Sequence, residues 1–252
     1  MIIEYHRPKD ESQALALLNR KIPITIPLGG GTVVSKTSQE VAVVDLQFLD
    51  LNYIREENKT IAIGSMTTLE EMLSYFGKES AIGQAIVIDA GKNIRCMATL
   101  GGSVVSNGGR SALLTVLKAL GIEIVWKPGD KVTDIDTWLA SKDAGRFGDF
   151  ISEIRMPKEV QVAFESVGRS PLDLPIICCA VTRQPNGSLR LALGGFGEAP
   201  ILGYEGNAWG DVAKSVGGAL NAAGDEWASA EYRVEAGTIL AKRLIEALAE
   251  GK

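Results

Sequence analysis

Histidine occurs once in this 252-residue chain, at His6, and cysteine three times, at Cys96, Cys178 and Cys179. A single imidazole cannot supply a multi-histidine metal site, and a Ser–His–Asp arrangement would have to recruit a residue close to the N-terminus. Three cysteines without ligand spacing exclude an iron–sulfur site, and their scarcity argues against a secreted disulfide framework, so a reducing cytoplasm is expected. Basic charge is not in surplus either. Lys+Arg total 26 against 31 Asp+Glu, a net charge of −5, with no long basic run, which disfavours nucleic acid and anionic membranes as partners. No uninterrupted apolar run is long enough to span a bilayer, and "MIIEYHRPKDESQ" meets charge too early for a signal peptide, so no membrane insertion is expected. Two nucleotide fingerprints are missing as well: GxGxxG, and the lysine of GxxxxGK[ST]. A Rossmann dehydrogenase and a P-loop NTPase are therefore poorly supported.

What remains is 46% hydrophobic and ample for a large core. "MIIEYH" reads as a strand stopped by Pro8, followed by a helix with Ala14, Leu15, Leu17 and Leu18 on its apolar side. "IPITIPL" and "VAVVDL" read as strands. Two more strands should flank Glu57–Asn58–Lys59, with a helix starting near Thr67 or Thr68 and carrying Glu70 and Glu71 in its first turn. A helix from about Ser111 to Leu120, a strand at Ile122–Trp126 and a strand closed by Pro157 follow. Beyond Lys158 the pattern becomes a strand meander, with a hairpin turn at Pro185–Asn186–Gly187, and then two helices. An α+β fold is predicted, divided into 1–52, 53–157 and 158–252.

Two glycine clusters carry the chemistry. "PLGGGTVV" places Gly29, Gly30, Gly31 and Thr32 after a strand, and "ATLGGSVV" places Gly101, Gly102 and Ser103 after Thr99. Consecutive turn amides form a concave anion site, and glycine lets phosphate oxygens come close to them. Two such loops could share a diphosphate, with Thr32, Thr99 and Ser103 adding hydroxyls. In a chain with 28 glycines, ordinary turns explain the same spacing more simply, so on spacing alone the question stays open.

Five segments in order, "IPLGGGTVV", "IAIGSMTTLEEM", "IRCMATLGGSVV", "FISEIRMP" and "SAEYRVEAGTILAKRLIEAL", resemble the FAD-binding medium subunit of molybdenum hydroxylases, the family of the carbon monoxide dehydrogenase medium subunit and the xanthine dehydrogenase flavin subunit. The resemblance covers nearly the whole chain. It implies a two-subdomain FAD-binding fold of the vanillyl-alcohol-oxidase type plus a C-terminal α+β domain. It further implies that Leu28, Gly29, Gly30, Gly31, Thr32 and Val33, with Thr99, Leu100, Gly101, Gly102 and Ser103, cradle the FAD diphosphate. Ile151 falls where the family places a residue near the flavin ring.

The implied activity is that of an oxidoreductase subunit with no catalytic side chain and no metal ligand of its own. Its implied partners are a large molybdopterin-binding subunit and a small [2Fe–2S] subunit. Val33, Ala112 and Glu165 stand where the family commonly has Asp or Ser, Asp, and Lys. These departures leave a second reading open, a structural or interaction subunit that kept the fold and lost FAD. Cys96 is expected to be packed, Cys178 and Cys179 to face opposite sides of a strand, and Tyr232 and Arg233 to brace the last helix or the interface. Glu70 and Glu71 are expected on a solvated face.

Overall fold

The computed structural model describes residues 1–141, 148–170, 173–207 and 209–250. The chain is α+β, as read from its sequence, and forms two compact units. One comprises residues 1–72, 92–106 and 122–156, the other 73–91, 107–121 and 157–252.

The first unit contains two sheets. In the three-stranded sheet, β3 (Val41–Asp45) lies between β1 (Ile2–His6) and β2 (Thr25–Leu28), parallel to both. Every residue of β3 is buried, as its continuous apolar run requires of a central parallel strand. Helix α1 (Glu11–Leu18) starts at Asp10, whose carboxylate accepts from the Gln13 amide at 2.9 Å. Its Ala14 and Leu18 pack on Val44 and Leu46, and Phe150 joins the same cluster. The second sheet has five strands in the order β4 (Ile54–Glu56), β5 (Thr60–Gly64), β8 (Phe150–Pro157), β6 (Glu123–Lys127) and β7 (Lys131–Asp134). Three short helices, α4 (Lys92–Arg95), α5 (Leu100–Ser106) and α7 (Ile135–Ser141), belong to this unit, as does the first turn of α2 (Leu69–Phe76). Trp126 and Trp138 are buried against each other, ring centroids 4.9 Å apart.

The second unit is an antiparallel sheet in the order β12 (Ile201–Gly206), β11 (Leu189–Gly194), β10 (Ile177–Arg183), β9 (Gln161–Val167). Alternation along β10 sends Ile177, Cys179 and Val181 into a core with α8 (Val212–Leu220) and α9 (Ala230–Glu250). Cys178 points the other way, its thiol 3.4 Å from the Thr115 hydroxyl of α6 (Ala112–Leu120). Asp89 ends α3 (Ala81–Asp89) and takes the Ala112 amide at 2.7 Å, the Leu113 amide at 3.1 Å and the Ser111 hydroxyl, so one helix caps the next. Arg233 is fully buried; it donates to the carbonyls of Ile176 at 2.9 Å, Ala228 at 3.3 Å and Ala223, and to the Asp225 carboxylate at 2.8 Å.

Candidate functional site

Both glycine clusters lie in the first unit. The chain leaves β2 once the Leu28 carbonyl has accepted the Leu46 amide at 3.1 Å, the last rung of that ladder. Gly31 then turns with φ +69°, a conformation that side chains with a Cβ resist. A single 3-10 turn follows, in which the Ser35 amide bonds Gly31 O at 3.1 Å and the Lys36 amide bonds Val33 O at 2.9 Å. Among the described residues, none of the amides from Gly29 to Val34 donates to a protein acceptor. Such a run of spare N–H groups is an anion-binding feature. Thr32 adds a hydroxyl donor, and Val33 is about half exposed (51%).

The second cluster is built differently. Gly101 and Gly102 were expected in a turn, but they lie inside α5, and their amides are committed. Leu100 N bonds Thr67 O at 2.9 Å, Gly101 N bonds Ser65 O at 2.9 Å and Ser103 N bonds Thr99 O at 2.9 Å. Gly102 N bonds the Thr99 hydroxyl at 3.2 Å. The bed under this loop is residues 65–69, joined to it further by a Thr68–Thr99 bridge and by Leu69 N to Ala98 O at 2.9 Å. Helix starts leave unpaired amides, and here the bed and the Thr99 cap absorb them. This loop offers the Thr99 and Ser103 hydroxyls in place of amides. Gly101 is small for packing: a Cβ there would lie 2.8 Å from Ser65 Cβ.

The loops touch. A Cβ on Gly29 would sit 2.6 Å from Thr99 Oγ1, and one on Gly30 would sit 1.6 Å from the Met97 carbonyl oxygen. The fold thus brings residues 28–33 together with 97–103. Ile151 is buried in β8, and its neighbour Ser152 accepts the Ser65 amide at 3.0 Å, so residue 65 bridges from that strand to Gly101. Sequence reasoning missed the bed itself. Its signal was the small, hydroxyl-rich "GSMTT" that follows β5.

Nearby in the same sheet, Glu153 collects Tyr53 at 2.8 Å, Arg55 at 3.1 Å and Arg155 at 2.7 Å. Burial alone would raise its carboxyl, but these hydrogen bonds outweigh that and hold it low. Tyr53 is pushed up to about 12 by burial and by its bond to Glu153. Glu71 is no idle surface acid. It accepts the Thr68 amide and hydroxyl, each at 2.8 Å, closing a capping box at the start of α2, while Glu70 pairs with Arg95 at 2.8 Å. Cys96, expected to be packed, is exposed; it falls in the connection between the α4 turn and α5 rather than inside a packed element. In the other unit, Ala112 opens α6 fully buried, and Glu165 pairs with Arg243 at 2.8 Å.

Residues 1–159 match the family described as the FAD binding domain in molybdopterin dehydrogenase. The chain belongs to this family. Among proteins similar to it, the carbon monoxide dehydrogenase medium chain of Afipia carboxidovorans is 26% identical over 274 residues, covering 96% of this chain and 95% of that one. The uncharacterized protein YgfM of Escherichia coli K12 is 27% identical over 199 residues, covering 77% of this chain and 75% of that one. The fold is also that of chains in solved structures. A carbon monoxide dehydrogenase chain from Oligotropha carboxidovorans superposes with TM-score 0.80 at 22% identity, covering 96% of both chains. A quinoline 2-oxidoreductase chain from Pseudomonas putida 86 gives TM-score 0.78 at 16% identity, covering 98% of this chain and 97% of that one. The protein is therefore an FAD-binding medium subunit of the molybdenum hydroxylase type, an oxidoreductase component whose cofactor is FAD. The first glycine loop fits that cofactor, because it presents spare amides beside a neighbour too close to admit a Cβ.

Proposed function

We propose that this chain is the electron-transferring flavin subunit of a heteromeric molybdenum hydroxylase. In this reading it receives electrons from the [2Fe–2S] clusters of a small partner subunit and passes them to a final acceptor. Substrate is oxidised on a large molybdopterin-binding subunit, in a cytoplasmic complex. The flavin ring supplies the redox chemistry when bound. The chain's own residues hold and orient: the amides of Gly29 to Val34 take the diphosphate charge, Thr32, Thr99 and Ser103 add hydroxyls, and Leu28, Leu100, Gly101 and Gly102 shape the cradle. Ile151 lines the ring side. Residues 1–52 and 53–157 are the two cofactor subdomains in this account, and 158–252 is the C-terminal domain.

The run of unspent amides closed over by Met97 and Thr99 is the observation that carries the proposal. The test is to purify the chain alone and together with the products of its neighbouring genes, and to record flavin absorption. Bound flavin, with co-purifying molybdenum-binding and cluster-binding chains, is expected. Folded protein without flavin in either preparation contradicts the proposal.

A second reading, a scaffold without FAD, draws on Val33, an exposed aliphatic side chain on the loop where a hydroxyl or carboxylate would serve the cofactor better. If that reading is right, Val33→Asp creates FAD binding that the wild type lacks.

A further inference from the structure

Among its described residues, the first unit holds one buried hydroxyl that the fold leaves without a partner. Ser65 is 3% exposed, and its Oγ makes no hydrogen bond. Its backbone, by contrast, is fully engaged: the amide bonds Ser152 O at 3.0 Å and the carbonyl accepts Gly101 N at 2.9 Å. Ser65 is therefore fixed between the glycine helix start on one side and β8, next to Ile151, on the other. Its neighbours in the bed are satisfied. The Thr67 hydroxyl donates to Tyr53 O at 3.0 Å and accepts Tyr53 N at 3.2 Å, and the Thr68 hydroxyl bonds Glu71 at 2.8 Å. Leaving a buried hydroxyl unpaired is unfavourable, so a serine kept there without a protein partner points to a partner from outside the chain.

We propose that Ser65 Oγ is an FAD-binding group that hydrogen-bonds a hydroxyl of the ribityl chain. The inference rests on the flavin reading above. If the glycine loops hold the diphosphate and Ile151 lies by the ring, the ribityl chain, which connects those two parts of FAD, is the polar segment that passes residue 65. Among the described residues, Ser65 alone bonds both the second loop and β8 at that point and keeps an unpaired hydroxyl. It also binds without charge, which suits a neutral polyol better than a phosphate.

The experiment compares wild type and Ser65→Ala, each in apo and FAD-saturated form, by FAD titration and thermal unfolding. Alanine keeps the Cβ that packs against Gly101 and removes only the hydroxyl. The expected result is FAD binding weakened about five- to tenfold, the effect of one neutral hydrogen bond. The apo variant should unfold at the same temperature as wild type or higher, because an unpaired buried group has been removed. Unchanged FAD affinity in the variant, with wild type binding normally, overturns the role of Ser65 and leaves the flavin reading intact. An apo variant that loses as much thermal stability as the FAD-bound variant also overturns it, since the hydroxyl then serves the fold. Failure of wild type to bind FAD removes the flavin reading, and this inference falls with it.

Discussion

Gly30 and Met97 lie so close that a Cβ on residue 30 would come within 1.6 Å of the Met97 carbonyl oxygen. No rotamer relieves such a clash, because both partners are backbone. Gly30→Ala must therefore push the first loop away from the second. Overpacking of this kind costs about 1–3 kcal/mol, and the displaced amides should lose FAD by tenfold or more. Gly91→Ala is the matched control, since a Cβ there meets nothing within 4 Å. Urea unfolding and flavin titration of the pair check both statements.

Arg233 should be the least replaceable side chain of the second unit. It ties α9 to four main-chain carbonyls and to Asp225 from a fully buried position. Removing it strands those acceptors in the core. Arg233→Met is expected to lower unfolding stability by about 3 kcal/mol or more. Denaturant titration of the soluble variant, or its recovery only in insoluble form, reads this out; wild-type stability would contradict it.

Asp89 gives the fold a pH response of unusual sign. Burial pushes its carboxyl up to about 6, against the pull of hydrogen bonds from Ser111, Ala112 and Leu113. The unfolded chain has an ordinary Asp near 3.8, so between these values the folded state binds the extra proton. Its contribution thus makes the protein more stable as pH falls from about 6 towards 4 and is flat above that. Each tenfold change in proton affinity is worth about 1.4 kcal/mol, so the rise from 3.8 to about 6 puts the whole effect at about 3 kcal/mol. Glu153 and Glu71 are held low and work in the opposite direction at lower pH. Subtracting the stability–pH curve of Asp89→Asn from that of wild type isolates the term; a difference that does not grow on acidification removes it.

The three thiols should separate cleanly. Cys96 is exposed, while Cys178 and Cys179 are fully buried and burial raises both, Cys178 to about 12. The thiolate is the reactive form. Native protein should therefore take up one equivalent of a thiol reagent quickly and the other two only in denaturant. Rapid labelling of all three would contradict the packing of β10.

Much of this architecture was legible because pattern and packing agree. The continuous "VAVV" of β3 could only be a central strand, and Gly187, with φ +85°, turns the hairpin that "PNG" announced. The first glycine loop was also read correctly as a main-chain turn after a strand. The second was misread because a glycine pair looks the same in a turn as in a helix that needs close approach. What decides between them is the Ser65 Cβ on the far side, 36 residues away in sequence, and nothing local encodes that contact. Helices α3 and α7 escaped for a related reason. Their apolar runs are too short to separate from buried strands by periodicity. The buried Ser65 hydroxyl could not be seen at all, since burial is a property of the fold.

The proposed flavin role requires main-chain amides of the first loop to hold a diphosphate. Parallel equilibrium titrations of the wild-type chain with FAD and with riboflavin, which has the same ring and ribityl chain but no phosphate, test it most directly. FAD is expected to bind, and riboflavin to bind at least about a hundredfold more weakly, as loss of several charge-assisted hydrogen bonds requires. Equal affinity for the two ligands would contradict it.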